Sequence, residues 1–221
     1  MKHAIAALLA LLICQSYSAL ADWNIQDLTD EQLRDYRRAI TEEIANRNRA
    51  ELETSEEARL IDIIPDEGFA SLVRDSLGLF SVNDPVTQEQ FDNVKRINNP
   101  NTEPVISSLE GIGRLRNLEY LMIYYKTLDE LPEEIGTLTR LEDLYVVSCN
   151  LTSITDSICD LVNLKELSIA GNDVEALPSE IGSLQSLVKL DISNTKITSL
   201  PESIYALHLD FFRREGLNIE E

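Results

Sequence analysis

Residues able to do acid–base or nucleophilic chemistry are few and scattered. Asp143, Glu166 and Asp191 recur at nearly one interval and are the minimum equipment for a surface acid–base site. Cys149 and Cys159 are thiols with no histidine close in sequence, and no serine or cysteine is indicated as a partner for His208. The H-E-x-x-H and D-x-D-x-D-G metal signatures are absent, and Gly111-Ile112-Gly113 lacks the third glycine and the strand-to-helix context of a phosphate loop. An enzyme would have to use exposed carboxylates such as Asp143, Glu166 and Asp191. Lys189 is placed to neutralise Glu166, and exposure gives no reason for a raised carboxyl pKa. The expectation is a non-enzymatic protein with no catalytic residues, no metal and no cofactor.

Recognition chemistry is better represented. Tyr120, Met122, Tyr124, Tyr125, Tyr145 and Val147 have the composition of a binding hot spot. Of 221 residues, 19 are Lys or Arg and 39 are Asp or Glu, a formal net charge of −20 that repels phosphate backbones and steers basic surfaces inward. Nucleic acid is not the expected partner; a protein with a basic surface is, with a glycan as the alternative.

What must position these residues is an internal repeat. Leu115, Leu138, Leu161, Leu184 and Leu207 are 23 residues apart each time. Leu118, Leu121 and Ile123 match Leu141, Leu144 and Val146, then Leu164, Leu167 and Ile169, then Leu187, Leu190 and Ile192. A second set follows in each unit: Leu128, Leu131 and Ile135, with Leu151, Ile154 and Ile158, Val174, Leu177 and Ile181, and Ile197, Leu200 and Ile204. Each unit predicts a short strand, a tight corner and a return arm, stable only when stacked. Side chains alternate along a strand, so with Leu121 and Ile123 inward, Tyr120, Met122 and Tyr124 face outward beside Asp143, Tyr145 and Val147. Next come Glu166, Ser168 and Ala170, and then Lys189, Asp191 and Ser193. The alternative is that the tyrosines are only a cross-strand ladder with no partner; partner binding is preferred, because two adjacent units combine tyrosines with Met122 and Val147.

These residues match L-x-x-L-x-L-x-x-N-x-L followed by L-P-x-x-I-G-x-L, and from about Val94 onward the chain resembles the leucine-rich repeat family. Leu131-Pro132, Leu177-Pro178, Leu200-Pro201, Ile135-Gly136 and Ile181-Gly182 resemble the subtype of Ras-suppressor and plant intracellular Ras-group proteins. Asp66 to Leu115, with Ile106-Ser107-Ser108-Leu109-Glu110-Gly111-Ile112, resembles the helical cap and first coil of internalin-type surface proteins. The resemblance implies an α/β solenoid with short parallel strands on its concave face, and puts the motif's asparagine site at Lys126, Cys149, Asn172 and Thr195. Cys149 is then an inward corner residue and Cys159 aligns with Gly136 and Gly182 on the return arm, an arrangement that discourages a disulfide. Asp129, Glu130, Glu133 and Glu134 are read as a solvated convex face.

Upstream, Lys2, the apolar run Ala4 to Ile13 and Ala19-Leu20-Ala21 read as an export signal over 1–21. The run is too short to span a bilayer, and Ile13 stands where a lipoprotein signal at Cys14 needs a small residue. Residues 22–64 form an amphipathic helical segment, with Leu33, Tyr36, Ile40 and Ile44 on one stripe after a Thr29/Gln32 cap and a second cap at Thr54/Glu57. Residues 65–100 are a helical cap: Asp66 to Gly78 carries Phe69, Leu72, Val73 and Leu77 on one face, and Thr87 with Gln90 opens a shorter helix. Residues 101–208 are the solenoid and 209–221 a closing cap. The whole reads as an exported, periplasmic or extracellular interaction module, monomeric by preference, whose partner meets Tyr120, Met122, Tyr124, Tyr125, Asp143, Tyr145, Val147, Glu166, Ser168, Lys189 and Asp191. A self-associating structural role for the N-terminal helix stays open, as does, more remotely, a surface carboxylate enzyme.

Overall fold

The computed structural model describes residues 58–99, 104–128 and 130–217. The expected export signal, the stripe of Leu33, Tyr36, Ile40 and Ile44, the Thr54/Glu57 cap and Asp129 lie outside the described residues. Three short helices come first: α1 (Leu60–Ile63), α2 (Glu67–Leu77) and α3 (Gln88–Asp92). Six strands follow: β1 (Arg96–Asn99), β2 (Tyr120–Tyr124), β3 (Asp143–Val147), β4 (Glu166–Ser168), β5 (Lys189–Asp191) and β6 (Phe211–Arg213). They form one parallel sheet in chain order.

Local chemistry explains both main helices. Asp66 caps α2 by accepting from Phe69 N at 2.7 Å, and the same carboxylate accepts from Ser107 N, Ser107 Oγ and Ser108 N, tying the helix to the first coil. These four bonds hold the Asp66 carboxyl below its usual range against the opposing effect of burial. Gly78 ends α2 in the left-handed region, and its N–H returns to Arg74 and Asp75 carbonyls. Phe69, Ala70 and Val73 are fully buried. Thr87 and Gln90 form the reciprocal capping box of α3.

In the solenoid each of the strands β1 to β5 leads to a return arm with a 3₁₀ turn: Ile112–Arg114, Glu133–Thr137, Asp156–Asp160, Ile181–Ser183 and Glu202–Ala206. Pro132 and Pro201 stand directly before two of these turns, where a missing N–H costs nothing. The repeat leucines line up as columns. Leu121, Leu144, Leu167 and Leu190 pair in register across β2 to β5 and are buried, as are Ile123, Val146, Ile169 and Ile192 behind them. Leu115, Leu138, Leu161 and Leu184 are fully buried, so each coil contributes to one continuous core.

The sheet extends one coil beyond the constant interval at each end. Ile97 pairs with Leu121 and Phe212 with Leu190, separations of 24 and 22 residues in place of 23. Strand β6 lies within the segment expected to close the stack and adds a row to the sheet.

At the asparagine site, Asn172 Oδ1 accepts from Cys149 N and Leu151 N, while Nδ2 donates to Val146 O and Ile169 O. Thr195 Oγ1 donates to Ile192 O, Lys126 Nζ to Pro104 O, and the Cys149 thiol to Ile123 O and Val147 O. Cys149 and Cys159 are both buried and are not joined to each other, and burial pushes the Cys149 thiol up, away from reactivity. Glu134 departs from the solvated-face expectation. Half-buried, it accepts from Gly111 N and Gly113 N and so caps the first turn of the neighbouring coil. Gly111 sits at φ 84° where a Cβ would lie 2.3 Å from Ile63 O, so this glycine serves contact with α1.

Candidate binding face

Alternation puts the core columns on one side of the sheet and leaves the other side open. Across that open face the register sets up transverse rows. One runs Arg96, Tyr120, Asp143, Glu166, Lys189 and Phe211, and the next runs Asn98, Met122, Tyr145, Ser168, Asp191 and Arg213. Tyr124 pairs with Val147 one step further along. Tyr120, Met122, Tyr124, Asp143, Tyr145, Val147, Glu166 and Asp191 are half-buried, Lys189 is exposed and Ser168 is buried. The expected site residues lie on adjacent strands except Tyr125, which stands at the corner after β2, and Ser168 is mostly covered.

The aromatic end is a contact set. The Tyr120 and Tyr145 rings are 5.7 Å apart and tilted by 46°, and Tyr124 and Tyr125 meet edge to face at 6.0 Å. Tyr125, 60% exposed, stands in the left-handed region at φ 55°. Corresponding corners use Ser148, Gly171 and Asn194, also left-handed, so the backbone imposes this conformation at the corners after β2 to β5 and Tyr125 is the bulkiest of the four residues accepting it.

The polar part is a chain of contacts. The Tyr145 hydroxyl donates to Glu166 Oε2, and Lys189 Nζ pairs with Glu166 Oε1. Lys189 first and Tyr145 second hold the Glu166 carboxyl below its ordinary value. Burial, then the hydrogen bond to Glu166, pushes the Tyr145 phenol well up, so its proton stays on. Asp191 Oδ1 accepts from Ser193 N and Oγ, and Arg213 lies 3.7 Å from Asp191 Oδ2.

Asp143 corrects the expectation that exposure leaves these carboxyls unperturbed. Partial burial raises its pKa, and Glu166 and Glu142 raise it further, against weaker attraction from Arg96 and Lys165. Acid–base catalysis would need a second free group beside it, but Glu166 is already engaged by Tyr145 and Lys189. Among the described residues no group of three or more His, Cys, Asp or Glu is arranged to hold a metal ion. His208 is exposed.

Sequence reasoning missed Arg96, Phe211 and Arg213. The Arg96 guanidinium lies 3.9 Å from the centre of the Tyr120 ring, and Arg213 lies 5.2 Å from that of Phe211. A fixed ruler of 23 residues puts the flanking core positions on Asn98 and Arg213, both polar. The useful sign was the apolar residue one place off in each case, Ile97 and Phe212.

Residues 48–92 match the family described as bacterial adhesion/invasion protein N terminal, and residues 162–206 match leucine-rich repeats in two copies. A leucine-rich repeat protein of Leptospira interrogans is 30% identical, with a TM-score of 0.55, over 59% of this chain and 33% of its own. An internalin of Listeria monocytogenes is 20% identical, with a TM-score of 0.54, over 75% of this chain and 60% of its own. An internalin-like protein of the same species is 22% identical, with a TM-score of 0.55, over 75% and 58%. The chain thus spans from a third to three fifths of the length of these structures. No curated protein matches it. The fold is a leucine-rich repeat solenoid, and its N-terminal cap is similar to that of internalins. Such a solenoid supports a protein-interaction role in general terms, and among the described residues no helix is long and apolar enough to cross a membrane.

Proposed function

We propose that the chain is an exported, non-enzymatic interaction module that holds a protein partner on the concave, open face of its sheet. One observation carries the reading: Tyr120, Met122, Tyr124, Tyr125, Tyr145 and Val147 form one aromatic surface across two coils, although nothing in the repeat requires it. The fold does not need aromatics on this face: in the same transverse rows the neighbouring coils carry Glu166, Lys189 and Asp191. Large rigid aromatics contribute contact area at low entropic cost and are enriched at interface centres. Asp143, Glu166, Lys189 and Asp191 flank the patch and set the pose of the partner.

The net charge of −20 favours a partner with a basic surface and predicts association that weakens as salt rises. Export rests on the leader-like first 21 residues, and the adhesion/invasion description of the matched N-terminal family agrees with it. The engaged state of Glu166 and Asp191 supports a binding role over catalysis.

The test is capture of a partner by the purified chain and by a variant with Tyr120→Ser, Tyr124→Ser and Tyr145→Ser. The expected result is a near-unchanged melting curve with capture lost, while Tyr205→Ser, an 81% exposed change on a return arm, retains it. Capture undiminished in the triple variant overturns the assignment.

A further inference from the structure

We propose that the open face takes a basic side chain, a guanidinium or ammonium group of the protein partner, against the Asp143 carboxylate with the Tyr120 and Tyr145 rings beside it. This rests on the reading that the open face is the docking surface, and it names the chemistry of the anchor.

The argument starts from the row Arg96, Tyr120, Asp143, Glu166 and Lys189. Its other charges have neighbours that answer them: Arg96 rests on the Tyr120 ring, and Glu166 is held by Lys189 and Tyr145. In the next row Asp191 accepts from Ser193 and faces Arg213. The Asp143 carboxylate has no hydrogen bond or ion pair among the described residues. Lys165, one of the two cations that attract it from a distance, pairs with Glu142 instead.

Asp143 also stands directly opposite Glu166 on the neighbouring strand, a like-charge pair that weakens a sheet. Folding gains nothing from it. Any neutral polar residue would serve the core equally well, because Leu144 supplies the buried contact. A repulsive pair at the centre of a surface is answered when a cation arrives from outside.

The surroundings favour an organic cation carried on a side chain. Tyr120 lies beside Asp143 across the strands and Tyr145 follows it two residues along the same face, so a cation there meets a carboxylate and two electron-rich rings together. The contact between Arg96 and Tyr120 shows that a guanidinium rests on this surface. A divalent ion would want more oxygen ligands than one free carboxylate supplies. The net charge of −20 steers a basic group toward the site.

The probe is Nα-acetyl-arginine amide, titrated into the full chain while the Tyr120 and Tyr145 ring resonances are followed by NMR. Its neutral near-isostere, Nα-acetyl-citrulline amide, is the control. The expected result is saturable movement of both rings with the arginine compound and at least about tenfold weaker binding of citrulline. Asp143→Asn should weaken the arginine compound by a similar factor with an unchanged fold, whereas Glu202→Gln, an exposed carboxylate on a return arm, leaves it nearly unchanged. Equal binding of citrulline, no saturable shift, or full binding to Asp143→Asn overturns the proposal. The two readings separate cleanly. A partner lost by the triple-tyrosine variant but kept by Asp143→Asn leaves the docking face standing without the cation anchor. A partner kept by the triple-tyrosine variant while arginine still saturates the wild-type slot leaves the anchor without the docking face.

Discussion

Tyr125 is where conformation and proposed role pull in opposite directions. A bulky side chain at φ 55° costs roughly 1–2 kcal/mol relative to glycine. Tyr125→Gly should therefore raise stability by about 1 kcal/mol, measured by chemical denaturation, while reducing partner capture. Asp143 gives a pH-dependent counterpart. Its folded-state pKa is raised above the ordinary aspartate value of 3.8, so as pH rises from below that value through the folded pKa the unfolded state ionises first and stability falls. Asp143→Asn removes this loss. The variant should be more stable than wild type at pH 7 and equal to it near pH 3, as read by melting temperature across that range. At this scale the outward-facing residues were legible because strand alternation is strict and the interval constant. The perturbation of Asp143 was not, since it arises first from burial in the folded chain and then from Glu166 on the neighbouring strand, added to the adjacent Glu142.

Capping chemistry is local, which is why the elements before the sheet could be read ahead of the structure. Asp66 three residues before Phe69, Gly78 at the stop, and the Thr87/Gln90 box all use bonds within a few residues. What sequence does not show is that Asp66 also takes Ser107 and Ser108, since this depends on the cap docking against the first coil. Asp66→Ala should thus cost more than an isolated cap, at the upper end of roughly 0.5–2 kcal/mol, with faster amide exchange at Ser107 and Ser108 as well as in α2. Asn172 bridges two coils through four short bonds, and Asn172→Ala should cost at least about 2 kcal/mol because buried N–H and C=O groups lose their partners. The single-residue shifts of spacing before β2 and after β5 hid β1 and β6, and with them Arg96 and Phe211.

Across the molecule, stability comes from coils that each bury their leucines against the next. Leu144→Ala or Leu167→Ala should cost roughly 2–5 kcal/mol through the cavity opened in a shared core, and the loss should spread to both neighbouring coils in hydrogen exchange. The core columns lie on the other side of the sheet from the open face, so exchanging the aromatic and charged groups there should have little effect on folding and, on the proposed function, a large effect on binding. Hydroxyl-radical footprinting of the tyrosines in the free and partner-bound chain tests this division most directly. Protection of Tyr124 and Tyr125 on binding, with Tyr205 on a return arm labelled equally in both states, is the predicted outcome. Protection of Tyr205 with Tyr124 and Tyr125 unchanged would contradict it.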